Sequence, residues 1–192
     1  MAFKRSAVRS RLAPPSSGWQ FWVNLVRWIF FGTKKCKAAQ YAVEFVRPII
    51  APIQHLHGLP PMFWSDEFVL GYVGFMIAAS AKLVAPDLSY VDKGRVLADA
   101  FTALSNLNGV EISDRASILL ESRSADCLHG SQNAAVVFGY FIGRLRDDDP
   151  DLRAARELAR GLPGEGDESS NVFAALNQLL FSQVIKERFR KA

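Results

Sequence analysis

The chain has 192 residues, 49% hydrophobic and 22% charged. That is too apolar for a disordered protein and long enough to bury roughly 70% of its unfolded surface without staples. Two cysteines, Cys36 and Cys127, supply no disulfide framework, so a reducing compartment is the default, with a single bridge left open. The net charge of +4 is unevenly spread. Lys4, Arg5, Arg9, Arg11, Arg27, Lys34, Lys35 and Lys37 precede the first acid, Glu44, whereas the remainder carries more acidic than basic residues. The basicity therefore belongs to the N-terminal part, which suits an anionic surface: lipid, nucleic acid or an acidic protein face.

Residues 1–17 are rich in Arg and Ser, lack acids, and end in Pro14-Pro15-Ser16-Ser17. They read as a basic flexible tail or as a targeting segment for mitochondria or another organelle. Gly18–Gly32 follows, with Trp19, Trp22 and Trp28 among its aromatics. Its polar side chains, Gln20, Asn24 and Arg27, make one narrow stripe on a helix. The flanking lysines and the interruption by Arg27 argue against a cleaved secretory signal. At about 22 Å of helix the segment is also short of a hydrocarbon core of about 30 Å.

A second helix is expected over Lys34–Val46, ended by Pro48 and Pro52. A Pro-rich connector over residues 47–64 would then separate arm from domain. The resulting division is a tail at 1–17, an aromatic helix, second helix and connector at 18–58, and a helical bundle at 59–192.

Ser65-Asp66-Glu67 opens a third helix, with Ser65 as the expected N-cap, running to Pro86. Phe68–Ala85 is apolar on most sides, so it is either the central helix of a bundle or a membrane span. Ser89, with Asp92 three residues on, caps the next helix, which Gly109 should end. Ser113 should start a helix running past Cys127 to Gly130, and Ser131 the one after it. Asp147-Asp148-Asp149-Pro150 is a strong start signal, with Gly161 as the stop. Residues 162–168 read as a loop, and Ser169 or Ser170 as the cap of the last helix. The hexapeptides beginning at Leu70 and Phe138 echo each other loosely, a similarity ascribed to chance. No alternating strand pattern is present, so the fold class is all-α: an irregular multi-helix bundle of about eight helices with a basic, aromatic-rich N-terminal arm.

Residue patterns that carry chemistry are sparse. Cys127 and His129 lie two apart, so on a helix their side chains diverge, a poor arrangement for a thiolate–imidazole pair. His55 and His57 lack the further ligands that a metal needs. Asp147, Asp148, Asp149 and Asp151 lack the Gly and Glu of a calcium loop. No phosphate-cradling loop, nucleophile elbow or zinc-protease signature occurs, and no cofactor or metal is expected. Nucleic acid is disfavoured, because the Trp residues are not interleaved with Arg or Lys and the domain is acidic.

The expectation is a non-enzymatic interaction or assembly protein, peripheral on the cytoplasmic face of a membrane. Trp19, Trp22, Trp28, Phe30 and Phe31 would sit at headgroup level, and Arg27, Lys34, Lys35 and Lys37 would meet anionic lipid. The alternative sets the same aromatic face against a partner protein or a second subunit. A further alternative is a small enzyme using Cys127.

Overall fold

The computed structural model of the chain describes residues 34–161 and 167–190. The described residues all belong to one compact unit, which begins at Lys34, and form an all-α bundle of seven helices. These are α1 (Lys34–His57), α2 (Glu67–Val84), α3 (Tyr90–Ser105), α4 (Gly109–Glu121), α5 (Ala125–Phe141), α6 (Pro150–Arg160) and α7 (Glu168–Arg190). In α7 the turn Gln178–Ser182 has the wider π geometry. A short 3₁₀ turn at Phe63–Ser65 leads into α2. The expected aromatic helix at Gly18–Gly32 and the tail at 1–17 lie outside the described residues.

α1 is longer than its prolines predict. Pro48 and Pro52 lie inside it, and both are exposed. Each removes a backbone donor, and the carbonyls thereby freed are those of Glu44 and Pro48, on the helix's outer side where water can reach them. The inner face carries Ala38, Ala42, Val46, Ile49, Ile50 and Ile53 into the core. Residues 34–57 are thus a core helix of the same unit as everything after them, and the connector expected at 47–64 shrinks to the turn after His57.

α2 is the central helix. Phe68 to Val73, Met76, Ile77, Ser80 and Ala81 are buried on several sides of it. By length and composition Glu67–Val84 could cross a membrane. In the bundle its apolar surface is taken up chiefly by α5 and α1. The tightest crossing is with α5, which runs in the same direction: Glu67 lies beside Ser124, and further along Phe75 meets Phe138 at 6.4 Å. Two glycines allow it. A methyl group on Gly71 would overlap the Cys127 carbonyl, and one on Gly130 would overlap that of Phe68. The Ser131 hydroxyl, donating to the Gly71 carbonyl at 3.1 Å, stitches the same crossing.

Several boundaries fall elsewhere than the cap residues suggest. α2 is capped by Asp66, not Ser65; the Asp66 carboxylate accepts from the Val69 amide. α3 begins as expected, with the Ser89 hydroxyl accepting from Asp92, but it stops at left-handed Asn106 rather than Gly109. Gly109 instead opens α4, under an Asn108 cap, because its bare backbone packs against Ala98 and Thr102 of α3. Ser113 is a buried mid-helix residue of α4. The segment expected as one helix through Cys127 breaks at residues 122–124, and Ser124 caps α5, which runs through Gly130 and Ser131 without interruption. α6 starts as expected, with Asp149 capping and Pro150 in the first turn. α7 is capped by Asp167 rather than Ser169 or Ser170. The echo at Leu70 and Phe138 has no common structure: the first copy is mid-helix, whereas the second runs off the end of α5 to Gly143 at φ +67.

The core's aromatic centre joins α2 to α7. Tyr72 and Phe181 stack at 4.3 Å between centroids, and Phe68 and Phe63 each lie 6.4 Å from Phe181. The π turn that carries Phe181 is supported by Asn133 of α5, whose amide donates to the Leu180 carbonyl at 2.9 Å. That bond serves a carbonyl in the turn where the regular helix ladder is broken.

Candidate functional sites: the basic entry to α1 and the helix-end cluster

Of the residues expected to meet a membrane or partner, Trp19, Trp22, Arg27, Trp28, Phe30 and Phe31 lie outside the described residues. Lys34, Lys35 and Lys37 are on the first described turns of α1. Lys34 is exposed. Lys35 forms an ion pair with Asp92 in the first turn of α3. Hydrogen bonds from Lys35 and Ser89 hold the Asp92 carboxyl below the usual carboxylate range. One of the three lysines thus ties α1 to α3.

The ends of three helices meet in a second polar cluster. Arg188, near the end of α7, donates through Nε to Asp66 Oδ2 at 3.1 Å and through Nη2 to Asp126 Oδ2 at 2.7 Å. Its guanidinium also lies 5.8 Å from the Phe68 ring centre. The hydrogen bond from Arg188 depresses the Asp126 carboxyl, and the Asp126 bond in turn raises the guanidinium. Asp66 caps α2 and Asp126 lies in the first turn of α5, so one cation serves two carboxylates that also complement the positive ends of their helices. Close by, the Ser124 hydroxyl donates to Glu67 Oε2 and accepts from the Cys127 amide.

Cys127 is fully enclosed by this arrangement. Burial pushes its thiol up, and the Glu67 carboxylate adds to the effect. A nucleophilic cysteine needs the opposite environment, accessible and electropositive. His129 is exposed and packs edge-on to Phe68 at 5.3 Å, so the two residues point apart as their spacing implies.

The other chemistry-bearing residues also have structural partners. The aspartate run is dispersed: Asp147 pairs with Arg156, Asp148 with Arg146, and Asp149 caps α6. Tyr72, buried in the core, donates to Asn177 Oδ1 at 2.8 Å, and Asn177 donates to the Phe173 carbonyl. Burial raises the Tyr72 phenol far above its usual range. Among the described residues, no three His, Cys, Asp or Glu side chains are placed to hold a metal.

A groove between α2, α3 and α4 was not foreseen from sequence. It is an open groove of about 660 Å³, lined mainly by apolar side chains, among them Leu88 and Leu97 and the exposed Tyr90, Val91 and Val110. Lys82, Lys93 and Arg95 stand around it, with Asp114 as an acid. No single residue in the sequence marks it: Gly94, which lines it, has no atom within 4 Å of where its Cβ would lie, but the same holds at Gly139, which does not line it. Elsewhere in the bundle Gly71, Gly109 and Gly130 each serve a close backbone approach.

No family model matches the chain, and comparison with curated proteins and with solved structures finds none similar to it.

Proposed function

We propose that the chain is a non-enzymatic helical interaction or assembly protein, held on the cytoplasmic face of an anionic membrane by Gly18–Gly32 and its flanking cations. The observation that carries this reading is the distribution of charge and aromatics. Eight cations precede the first acid, and three of the four tryptophans lie among them. Trp and Phe favour the headgroup boundary, and each Lys or Arg near an anionic surface adds about 1 kcal/mol. A bundle that buries a core of its own from Ala38 to Ile185 supports the division of labour: a folded interaction module, preceded by a segment for attachment.

The second reading places the same aromatic face against a partner protein or a second subunit. It is favoured by the narrowness of the Gln20, Asn24 and Arg27 stripe, since an interfacial helix ordinarily has a broad polar face.

Flotation with vesicles containing phosphatidylserine separates the two. The full chain should float at low salt and be released as salt rises, while a Trp19→Ser, Trp22→Ser, Trp28→Ser variant stays in the soluble fraction. A wild-type chain that stays soluble at low salt overturns the membrane reading. If it is also oligomeric, and the triple variant is monomeric, the subunit reading stands.

A further inference from the structure

We infer that the groove between α2, α3 and α4 is a binding site for a free long-chain fatty acid, its acyl chain lying along the apolar walls and its carboxylate held by the rim cations. This goes beyond membrane attachment and does not depend on it.

Volume, wall chemistry and rim charge all point to this class. About 660 Å³ lies within the ordinary range for small-molecule sites, roughly 300–1,000 Å³. The walls include Ala81, Leu88, Tyr90, Val91, Leu97 and Val110. Among the described residues, no buried side-chain nitrogen or oxygen lacks a hydrogen-bond partner. The Ser117 hydroxyl, which could have faced a polar ligand, donates instead to the Ser113 carbonyl. The walls therefore ask for an apolar body and offer little to a sugar or a nucleobase.

The head group is selected at the rim. Lys82, Lys93 and Arg95 outnumber the one acid, Asp114, on a unit whose charges are otherwise close to balanced. Among the described residues, Lys82 and Lys93 take part in no salt bridge. Two long side chains with mobile ammonium groups suit a carboxylate at the mouth of an apolar slot.

Gly94 offers a handle on the same wall. Glycine inside a helix is destabilising relative to alanine, and ordinarily a close neighbour explains it. Gly94, like Gly139, has no such neighbour; unlike Gly139, it lines the groove. A large side chain introduced there stands at the groove, which makes the position a place to test it.

The test is titration of the full chain, in solution and without vesicles, with cis-parinaric acid, whose emission rises on entering an apolar site. Saturable binding is expected, with displacement by oleate and about two- to fivefold weaker displacement by oleyl alcohol, which lacks the charge. Gly94→Leu should weaken binding at least about tenfold while helix content is retained, since leucine is the better helix former. Lys82→Glu with Lys93→Glu should weaken the acid and leave the alcohol unchanged. Probe binding that survives Gly94→Leu and the double reversal unchanged lies elsewhere on the chain and overturns the proposal. So does an alcohol that competes as well as the acid, or the absence of a saturable signal. Dimerisation that displaces the probe also overturns it, and assigns the groove to a second copy. Failure in flotation leaves this result untouched, because no membrane enters the measurement.

Discussion

Gly71 and Gly139 both sit inside helices, and their surroundings give them opposite roles. At Gly71 a methyl group would meet the Cys127 backbone, which has no freedom to retreat without opening the α2–α5 crossing. Gly71→Ala should therefore cost about 1–3 kcal/mol in urea denaturation, the range of overpacked cores. At Gly139 of α5 an added methyl would meet nothing within 4 Å. Gly139→Ala should raise stability by about 0.5–1 kcal/mol, through helix propensity and a less mobile unfolded chain. In the sequence both are simply glycines in apolar runs. Gly109 and Gly130 were expected to end helices for that reason, yet each sits within or at the start of one, where a neighbouring backbone comes close. A terminating glycine and a packing glycine differ only in what faces them, which is a tertiary fact.

Helix starts divide along similar lines. Ser89 and the Asp149–Pro150 pair were legible because capping is local: a side chain accepts from an amide two or three residues on. Ser113 and Ser131 read like caps but are interior residues; the Ser131 hydroxyl donates to the Cys127 carbonyl of its own helix and to the Gly71 carbonyl of α2. The candidate attachment residues were legible as a charge pattern, whereas the groove was not, because its walls come from three helices separated in sequence. α1 shows the same limit on local rules. Its two prolines predict a stop, and the apolar inner face overrides them, since burial of six aliphatic side chains outweighs the lost backbone bonds. Pro48 lies on the exposed side, so its replacement restores a backbone donor without disturbing the core. Pro48→Ala should stabilise the bundle by about 1–2 kcal/mol, the restored helix bond being partly offset by a freer unfolded chain. Thermal unfolding monitored by circular dichroism checks this, and a lower midpoint would contradict it.

At the scale of the molecule, Arg188 joins the starts of α2 and α5 to the end of α7. Its bond to Asp126 keeps that carboxyl below its usual value of about 3.9, so the group is more acidic folded than unfolded. A lowered folded value contributes stability that is fully present above the unfolded value and disappears as pH falls through the folded one. Arg188→Met should remove that contribution, so its stability should fall less than wild type between pH 5 and pH 3. Both side chains are partly open to water, at 29% and 49%, which limits the difference to about 0.5–1 kcal/mol. Denaturant midpoints at a series of pH values read it directly, and parallel curves for the two proteins would refute the role given to Arg188.

The aromatic stack across α2 and α7 also sets a timetable for synthesis. Tyr72 and Phe68 are made early, but Phe181, the ring that covers them, emerges more than a hundred residues later. At bacterial or eukaryotic elongation rates of about 5–20 residues per second, that interval lasts several seconds. Through that interval α2, the most apolar of the described helices, lacks the cover of Phe181 on one of its faces. The stack that gives the finished protein its centre therefore closes last, once the π turn of α7 has been translated.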